Sequence, residues 1–317
     1  MKKIIFKAII FLLILFLMLL ILSRIFVPKN NTKKAGIPSN RVRQVGVLAE
    51  PENTLDVICV GDSEAYTSFI PLEAWNKYGY TTYVCGYPAQ RIPSILSIVQ
   101  QTLTKQKPKI IMLEANSLYR RNPASVFLAQ IAYRILPIME YHNRWKSLTT
   151  DDLFKEVKYT NIQRDKGFYI SKKIKAGNNE KYMEDSKKVS KIQRTNKLYV
   201  KILKEMCDRK GIELVIYSTP APANWTTGKH NGIEKLAKEM GVEYIDMNLI
   251  QDKLNIDWTK DTRDEGDHLN YTGSLKATEF LAEYLNKKNL PDHRSDEKYK
   301  KWNECYNKYI KEINKQK

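Results

Sequence analysis

The sequence predicts an α/β protein in which helices cover both faces of a five-stranded parallel sheet, preceded by one transmembrane helix. Two observations predict the sheet domain: five short β-rich apolar runs, and amphipathic stretches of helical length between several of them. A third observation, a long apolar segment near the N-terminus, predicts the membrane helix. The chain has 317 residues, enough for one sizeable domain with additions.

Five β-rich runs define the predicted strands. They are Leu55–Val60, Thr81–Cys85, Lys109–Glu114, Ile212–Ser218 and Val242–Asp246. Helical stretches such as Arg91–Gln106 and Lys197–Lys210 lie between some of them. Repetition of strand, helix and strand favours a parallel sheet covered on both faces. Five such strands suit a doubly wound, flavodoxin-like three-layer α/β/α sandwich.

The N-terminal segment from residue 4 to residue 27 is apolar except for Lys7, Ser23 and Arg24. Because Lys7 and Arg24 can snorkel, this segment can cross a hydrocarbon core of about 30 Å. No small-x-small cleavage site follows, which favours an uncleaved anchor over residues 1–27 rather than a cleaved signal peptide. Basic residues flank the segment on both sides and leave its orientation open.

Composition divides the rest of the chain. Residues 28–45 are polar and basic and are interpreted as a linker, followed by the sheet domain over residues 46–290. The alternation of strands and helices breaks between about residues 122 and 195, where an apolar helix-like segment, Ala124–Met139, precedes a polar and basic stretch. We interpret this part as a lid-like insertion. Residues 291–317 are basic and tyrosine-rich and predict a C-terminal helix.

The chain carries a formal net charge of +18. A basic surface suits nucleic acid, anionic lipid headgroups or an acidic polymer. Nucleic acid is disfavoured because no recognised nucleic-acid motif appears and the anchor would place the domain outside the cytoplasm. The four cysteines form no CxxC pair and have no metal-like spacing with the four histidines. Neither a metal site nor a disulfide framework is therefore expected. No cofactor is expected either.

The first predicted strand ends in VICVGDSEAYTSFIP, which contains the first candidate catalytic residue, Ser63. A serine directly after a buried strand lies at the carboxyl edge of the sheet, where α/β ligand sites form. Gly61 permits a tight turn, and a helix starting near Ser63 would direct backbone N–H groups at a developing oxyanion. The alternative is that Ser63 only caps this helix.

The second candidate, His268, lies in DTRDEGDHLNYTG, Asp261 to Gly273, which follows the last predicted strand. A nucleophilic serine needs such a histidine with acidic neighbours, because the imidazole takes the hydroxyl proton and a carboxylate fixes its tautomer. A histidine beside aspartates is also common in surface turns. Its return to the carboxyl edge of the sheet favours the catalytic interpretation.

These blocks resemble those of the SGNH/GDSL hydrolases: GDS after strand one, a glycine after strand two, an asparagine after strand three and a late acidic-HLN loop. The resemblance covers most of Leu55–Leu285 apart from the insertion. It implies that Ser63 is the nucleophile and His268 the base. It also implies an oxyanion hole made of the Ser63 and Gly86 backbone N–H groups and the Asn116 side-chain amide.

Two positions depart from the family pattern D-x-x-H and G-x-N-D. The residue three before His268 is Glu265, so we assign the triad carboxylate to Asp264, which a one-residue bulge would let reach the ring, with Asp267 as the alternative. Glu114 stands where the family often has glycine, and is interpreted as either a structural cap or part of the pocket.

The resemblance extends to membrane-anchored envelope proteins, such as the D-alanyl-transfer protein of teichoic acid modification and those paired with membrane-bound O-acyltransferases. It implies a single-pass membrane protein with an extracytoplasmic domain that forms an acyl-serine. The acyl group, acetyl or similar, would be added to or removed from an envelope polysaccharide or teichoic-acid-like polymer. A membrane-bound O-acyltransferase is the implied protein partner. The alternative is a catalytically inactive binding module for an anionic envelope polymer or lipid.

Other conspicuous side chains are given simpler roles. His142 is expected on a surface helix, and Trp225 either in a pocket wall or in ordinary packing. His230 and His293 are expected to be solvated.

Overall fold

The computed structural model describes residues 1–178 and 182–315. Its strands are β1 (Val57–Gly61), β2 (Thr82–Gly86), β3 (Ile110–Glu114), β4 (Glu213–Ser218) and β5 (Glu243–Asp246). They form one parallel sheet in the order β2-β1-β3-β4-β5. Each strand overlaps one of the predicted runs, and the predicted five-stranded parallel sheet is therefore confirmed.

The α-helices, in chain order, are α1 (Lys2–Phe26), α2 (Val42–Val45), α3 (Ser63–Tyr66), α4 (Pro71–Tyr78), α5 (Ile92–Thr102), α6 (Ala124–Ile135), α7 (Ile138–Tyr141), α8 (Thr150–Phe154), α9 (Arg194–Arg209), α10 (Thr227–Met240), α11 (Gln251–Leu254), α12 (Tyr271–Asn286) and α13 (Lys300–Lys315). Short 3₁₀ helices cover Gly46–Ala49, Ala115–Tyr119, His142–Ser147, Met247–Ile250 and Glu297–Tyr299.

The sheet separates two hydrophobic cores, because successive side chains of a strand point to opposite faces. In β1, Ile58 and Val60 belong to one core and Val57 and Cys59 to the other. The first core also contains buried side chains of α5, α9 and α10, and the second contains those of α12. Helices therefore cover both faces, and the predicted three-layer sandwich is confirmed.

The chain forms two compact units. The sheet unit comprises residues 43–121, 162–178 and 182–315, and includes the C-terminal helix α13, whose residues Trp302 and Tyr309 are buried. Residues 316 and 317 of the predicted C-terminal segment lie outside the described residues.

The other unit comprises residues 1–42 and 122–161, which we call the α1 unit. Its helix α1 has 25 residues and is long and apolar enough to cross a membrane. Within this unit, part of the segment interpreted as a linker hydrogen-bonds to part of the insertion. The Asn31 side chain donates to the Asn161 carbonyl at 2.8 Å and accepts the Asn161 N–H at 2.9 Å.

The helix predicted over Ala124–Met139 is divided into α6 and α7. Leu136 leaves the helical conformation, with φ −127° and ψ 80°. Pro137 follows it, and a residue before proline is disfavoured in the α conformation.

Candidate active site

Ser63 is the first residue of α3 and follows β1 at the carboxyl edge of the sheet. Asp62 caps this helix, since its carboxylate accepts the N–H of Glu64 at 3.1 Å. Gly61 is required by close packing rather than by a turn, because a Cβ here would lie 2.5 Å from the Cβ of Glu114. Ser63 is only 8% exposed, so the predicted nucleophile is largely sheltered from water.

Asp62 also brings Asn116 close to Ser63. Asn116 follows β3, the neighbour of β1 at the point where the strand order reverses, which is where α/β proteins bind ligands. Its side-chain amide donates to Asp62 Oδ2 at 3.5 Å. Arg120 pairs with the same oxygen at 2.5 Å, which compensates this fully buried carboxylate.

Gly86, the last residue of β2, lies opposite Gly61 in the sheet. A Cβ at position 86 would lie 2.8 Å from the carbonyl oxygen of Asp62 and 3.0 Å from the ring of Tyr66. Only glycine lets β2 approach the backbone around Ser63 this closely. The structure thus gathers the three residues of the predicted oxyanion hole around Asp62.

His268, the predicted base, lies in the loop between α11 and α12, which we call the base loop. Its ring Nδ1 is 2.7 Å from Asp264 Oδ2, and its backbone N–H donates to Asp264 Oδ1 at 2.7 Å. The left-handed conformations of Glu265 (φ 63°) and Gly266 (φ 91°) form the bulge that closes this four-residue spacing. An isolated antiparallel bridge between Thr262 and Leu269 holds the two ends of the loop together.

The two candidate carboxylates differ in their geometry. Asp267 Oδ2 is 3.3 Å from His268 Nδ1, farther than Asp264 Oδ2. Partial burial would raise the pKa of Asp264, but hydrogen bonds and the charge of His268 hold it below its ordinary value. Asp264 therefore has the shorter contact and the stabilised charge, and it remains our predicted partner of His268.

Glu64 and Asn224 connect the serine to the base loop. A ring nitrogen of His268 and carboxylate oxygens of Glu64 and Asp267 all lie within 4.8 Å of one another. The Asn224 amide bridges the two carboxylates, donating to Glu64 Oε1 at 2.8 Å and to Asp267 Oδ1 at 3.1 Å. Burial, with the charges of Glu114 and Asp62, raises the pKa of Glu64 well above its ordinary value.

These three groups also have the chemistry of a cation site, since carboxylates and imidazole bind divalent metals. Asn224, however, points N–H groups at both carboxylates. Thr219 donates to the second oxygen of Glu64 at 3.0 Å. Donors in these positions satisfy the oxygens that a cation would need, so the residues fit a hydrogen-bond network better than a metal.

Lys229, at the start of α10, determines how the amides of Asn116 and Asn224 are oriented. Its ammonium group donates to Asn116 Oδ1 at 3.2 Å and to Asn224 Oδ1 at 2.9 Å. Because an ammonium group can only donate, each amide must turn its oxygen towards Lys229 and its NH₂ group away from it. For Asn116, the NH₂ group consequently faces Asp62 and the turn that carries Ser63.

The environment of Lys229 is apolar as well as anionic. Its ammonium group lies 5.5 Å from the ring centre of Tyr119 and 5.6 Å from that of Trp225. Burial lowers the pKa of Lys229, and the nearby carboxylates Glu114 and Glu64 oppose that shift. Trp225 is buried beside Lys229, a position that suits either of the two roles considered for it from the sequence.

Glu114 is a cap. Its carboxylate accepts the N–H of Asn116 at 2.9 Å and so begins the 3₁₀ helix that carries the predicted oxyanion amide. Burial and the charge of Asp62 raise the pKa of Glu114 well above its ordinary value. Of the two roles proposed from the sequence, the structure therefore favours the structural one.

An extended segment of the insertion supports the base loop. Lys175 donates its N–H to the Thr262 carbonyl at 3.1 Å and accepts the N–H of Glu265 at 3.0 Å. Upstream, Tyr169 donates its N–H to the carbonyl of Tyr66 in α3 at 2.9 Å. This segment therefore contacts both α3, which begins at Ser63, and the base loop.

Two simpler expectations are wrong. His230 is not solvated, because its Nδ1 lies 2.7 Å from the buried carboxylate of Asp246. His293 is not solvated either. Its ring stacks on that of Tyr299 with a centroid separation of 3.9 Å, and its Nε2 lies 3.1 Å from Asp56 Oδ2. His142 is exposed and contacts the Met139 carbonyl, as expected for a surface residue.

No protein-family model matches the chain, and no curated protein matches it in sequence. Solved structures do resemble it. A Bacteroides fragilis protein assigned as an acylhydrolase has a TM-score of 0.40 and 10% identity, over 80% of this chain and 99% of that one. An acetyl xylan esterase has a TM-score of 0.37 and 16% identity, over 74% and 99% of the two chains.

A GDSL-like lipase from Bacteroides thetaiotaomicron has a TM-score of 0.35 and 10% identity, over 74% of this chain and 88% of that one. These three proteins are named as an acylhydrolase, an esterase and a lipase.

Proposed function

We propose that this chain is a serine esterase or acyltransferase of the SGNH/GDSL type, which acts through an acyl-serine at Ser63. The observation that carries the proposal is the pairing of His268 Nδ1 with Asp264 at 2.7 Å, in a loop that Asn224 ties to Glu64, the residue after the serine. A histidine held in this tautomer presents its other nitrogen as a base.

In the first half-reaction, Ser63 Oγ bonds to the carbonyl carbon of an ester and His268 takes the hydroxyl proton. The negative charge on the carbonyl oxygen is stabilised by the N–H groups of Ser63 and Gly86 and by the Asn116 amide. The ester C–O bond then breaks, and His268 returns the proton to the leaving alcohol. In the second half-reaction, water or a polymer hydroxyl attacks the acyl-serine and the same steps run in reverse order.

The substrate we propose is an acylated glycopolymer of the cell envelope, with the sheet unit on the extracytoplasmic side. A long apolar helix near the N-terminus supports a membrane location, and the net charge of +18 suits an anionic polymer. A membrane-bound O-acyltransferase is the proposed donor of the acyl group in the transferase version of this reaction.

The test uses the full chain in detergent, with fluorophosphonate labelling and p-nitrophenyl acetate turnover. We expect Ser63→Ala to abolish both. Ser68→Ala is the matched control, since Ser68 is also buried after β1 and its hydroxyl donates to the Ala65 carbonyl at 3.3 Å. A polymer acceptor is then added to the assay. Faster p-nitrophenol release, together with acetylation of the polymer, would indicate acyl transfer rather than hydrolysis. A folded wild type as inert as Ser63→Ala would instead support the binding module.

A further inference from the structure

The α1 unit exposes a large apolar surface outside helix α1. In the described part of the chain, α6 has no buried residue although its sequence is ASVFLAQIAYRI. Its exposed side chains include Phe127, Leu128, Ile131 and Ile135. Soluble surfaces rarely leave contiguous apolar patches of this kind uncovered.

The apolar residues of α6 lie on one side of the helix. Phe127, Ile131 and Ile135 follow one another at intervals of four residues, which places them along a single stripe. The opposite side carries Gln130 and Tyr133. A short helix with one apolar and one polar side is typical of segments that lie flat in a membrane interface.

This surface adjoins the carboxyl-terminal end of α1. The hydroxyl of Ser23, near that end, accepts the N–H of Ile138 at 3.2 Å. Arg144 donates to the carbonyl of Phe26 at 2.5 Å and pairs with the buried Asp152 at 2.7 Å. Because 25 residues of helix extend about 38 Å, longer than a hydrocarbon core, this end of a spanning α1 lies at headgroup level.

The basic and aromatic residues of the α1 unit are also typical of a surface at headgroup level. Residues 28–42 contain four lysines or arginines and no acidic residue. Trp145 is 63% exposed, and the ammonium group of Lys146 lies 5.1 Å from its ring centre. Tryptophan and lysine are enriched where a protein meets lipid headgroups.

We propose that Phe127, Leu128, Ile131, Ile135 and Trp145 form a membrane-docking face that inserts into the headgroup region of an anionic bilayer. It would lie in the leaflet from which the carboxyl-terminal end of α1 emerges. The inference requires that α1 span the membrane, and it is independent of the proposed chemistry at Ser63. It commits to lipid as the occupant because the face is continuous with a helix that itself requires lipid.

Trp145 provides the test, because the other tryptophans (Trp75, Trp225, Trp258 and Trp302) are each at most 4% exposed. The full-length protein is reconstituted in vesicles of phosphatidylglycerol and phosphatidylcholine. Part of the lipid carries bromine atoms on its acyl chains, either near the headgroup or near the acyl-chain end. We expect shallow bromines to quench the tryptophan fluorescence at least about twofold more than deep ones. Trp145→Phe should remove most of that quenching.

A second variant checks the apolar stripe. Phe127→Ser with Ile131→Ser should reduce the quenching of Trp145 and raise its accessibility to acrylamide, while p-nitrophenyl acetate turnover stays unchanged. Leu198→Ser is the control, since Leu198 is exposed in the sheet unit and should affect neither signal.

Two results would overturn the proposal. In the first, Trp145→Phe leaves the lipid quenching intact, so that Trp145 does not meet lipid. In the second, Trp145 is shielded from acrylamide but not quenched, and the shielding disappears on dilution in lipid. A second copy of the chain would then be the occupant.

Discussion

The molecule contains two histidine–aspartate pairs with the same contact distance and different surroundings. His268 Nδ1 lies 2.7 Å from Asp264, and His230 Nδ1 lies 2.7 Å from Asp246. Asp246 is the last residue of β5, and Asp264 and His268 lie in the base loop between α11 and α12. A contact of this kind alone therefore does not identify a catalytic dyad.

The carboxylate of Asp246 is saturated by structural donors. Besides His230, it accepts from Trp225 Nε1 at 3.2 Å, from Tyr244 at 2.9 Å and from the backbone N–H of Asn248 at 2.9 Å. These bonds join α10, β5 and the loop after β4. The His230 pair consequently acts as a crosslink within the fold.

The carboxylate of Asp264, in contrast, is engaged chiefly by His268 itself, through the ring and the backbone N–H. Arg263 approaches it at 3.4 Å. The other face of this base loop is tied to Glu64 through Asn224 and Asp267. What distinguishes the two pairs is that only the His268 pair is connected to the turn that carries Ser63.

The largest difference between the pairs should appear in catalysis. We expect His268→Ala to lower kcat/KM for p-nitrophenyl acetate by at least about 10³, because the general base is lost. His230→Ala should change it by less than about threefold. Steady-state kinetics on folded variants measures both, and comparable losses in the two would remove the distinction.

The second prediction concerns the choice of carboxylate. Asp264→Asn should lower kcat by about 10²–10⁴, since an amide partner favours the wrong imidazole tautomer. Asp267→Asn keeps a group that can bond Asn224 and should cost less than about tenfold. If Asp267→Asn is the more damaging change, the triad assignment passes to Asp267.

The third prediction tests Lys229 as a positioning residue. Lys229→Met should lower kcat by roughly 10- to 10²-fold with little change in KM, because the Asn116 amide loses the contact that orients it towards the oxyanion. Lys229→Arg should recover part of the loss. Lys197→Met, at an exposed lysine paired with Glu239, is the control. An equal rise in KM for Lys229→Met would indicate a substrate-binding role instead.

The smallest expected effect is on stability. The hydrogen bond between His230 and Asp246 raises the pKa of His230 above its ordinary value of 6.5. A raised pKa in the folded state stabilises the protein most below the unfolded pKa, and this contribution is lost as the pH rises through the folded pKa. His230→Gln should therefore lower Tm more at about pH 5.5 than at about pH 9. Equal losses of Tm at the two pH values would contradict this prediction.

Local sequence pattern was sufficient to predict the strands of the sheet, because each strand is specified by residues nearby in the chain. The same patterns single out Ser63 and His268, whose catalytic roles stay predictions. The roles of other residues depend on distant contacts. Lys229 and Asn116 are 113 positions apart, and His293 and Asp56 are 237 positions apart. No local signal marks such partners, which explains why Lys229 was not identified and His293 was wrongly expected to be solvated.

The proposed chemistry requires that Ser63 carry the acyl group, with His268 as its base. Rapid quenching of the full chain with p-nitrophenyl acetate, followed by peptide mass spectrometry, tests it most directly. We expect one acetyl group on the peptide that contains Ser63 in the wild type and in His230→Ala, and none in His268→Ala. Release of p-nitrophenol with the acetyl group on another residue, or an acetylated Ser63 in His268→Ala at the wild-type rate, would contradict it.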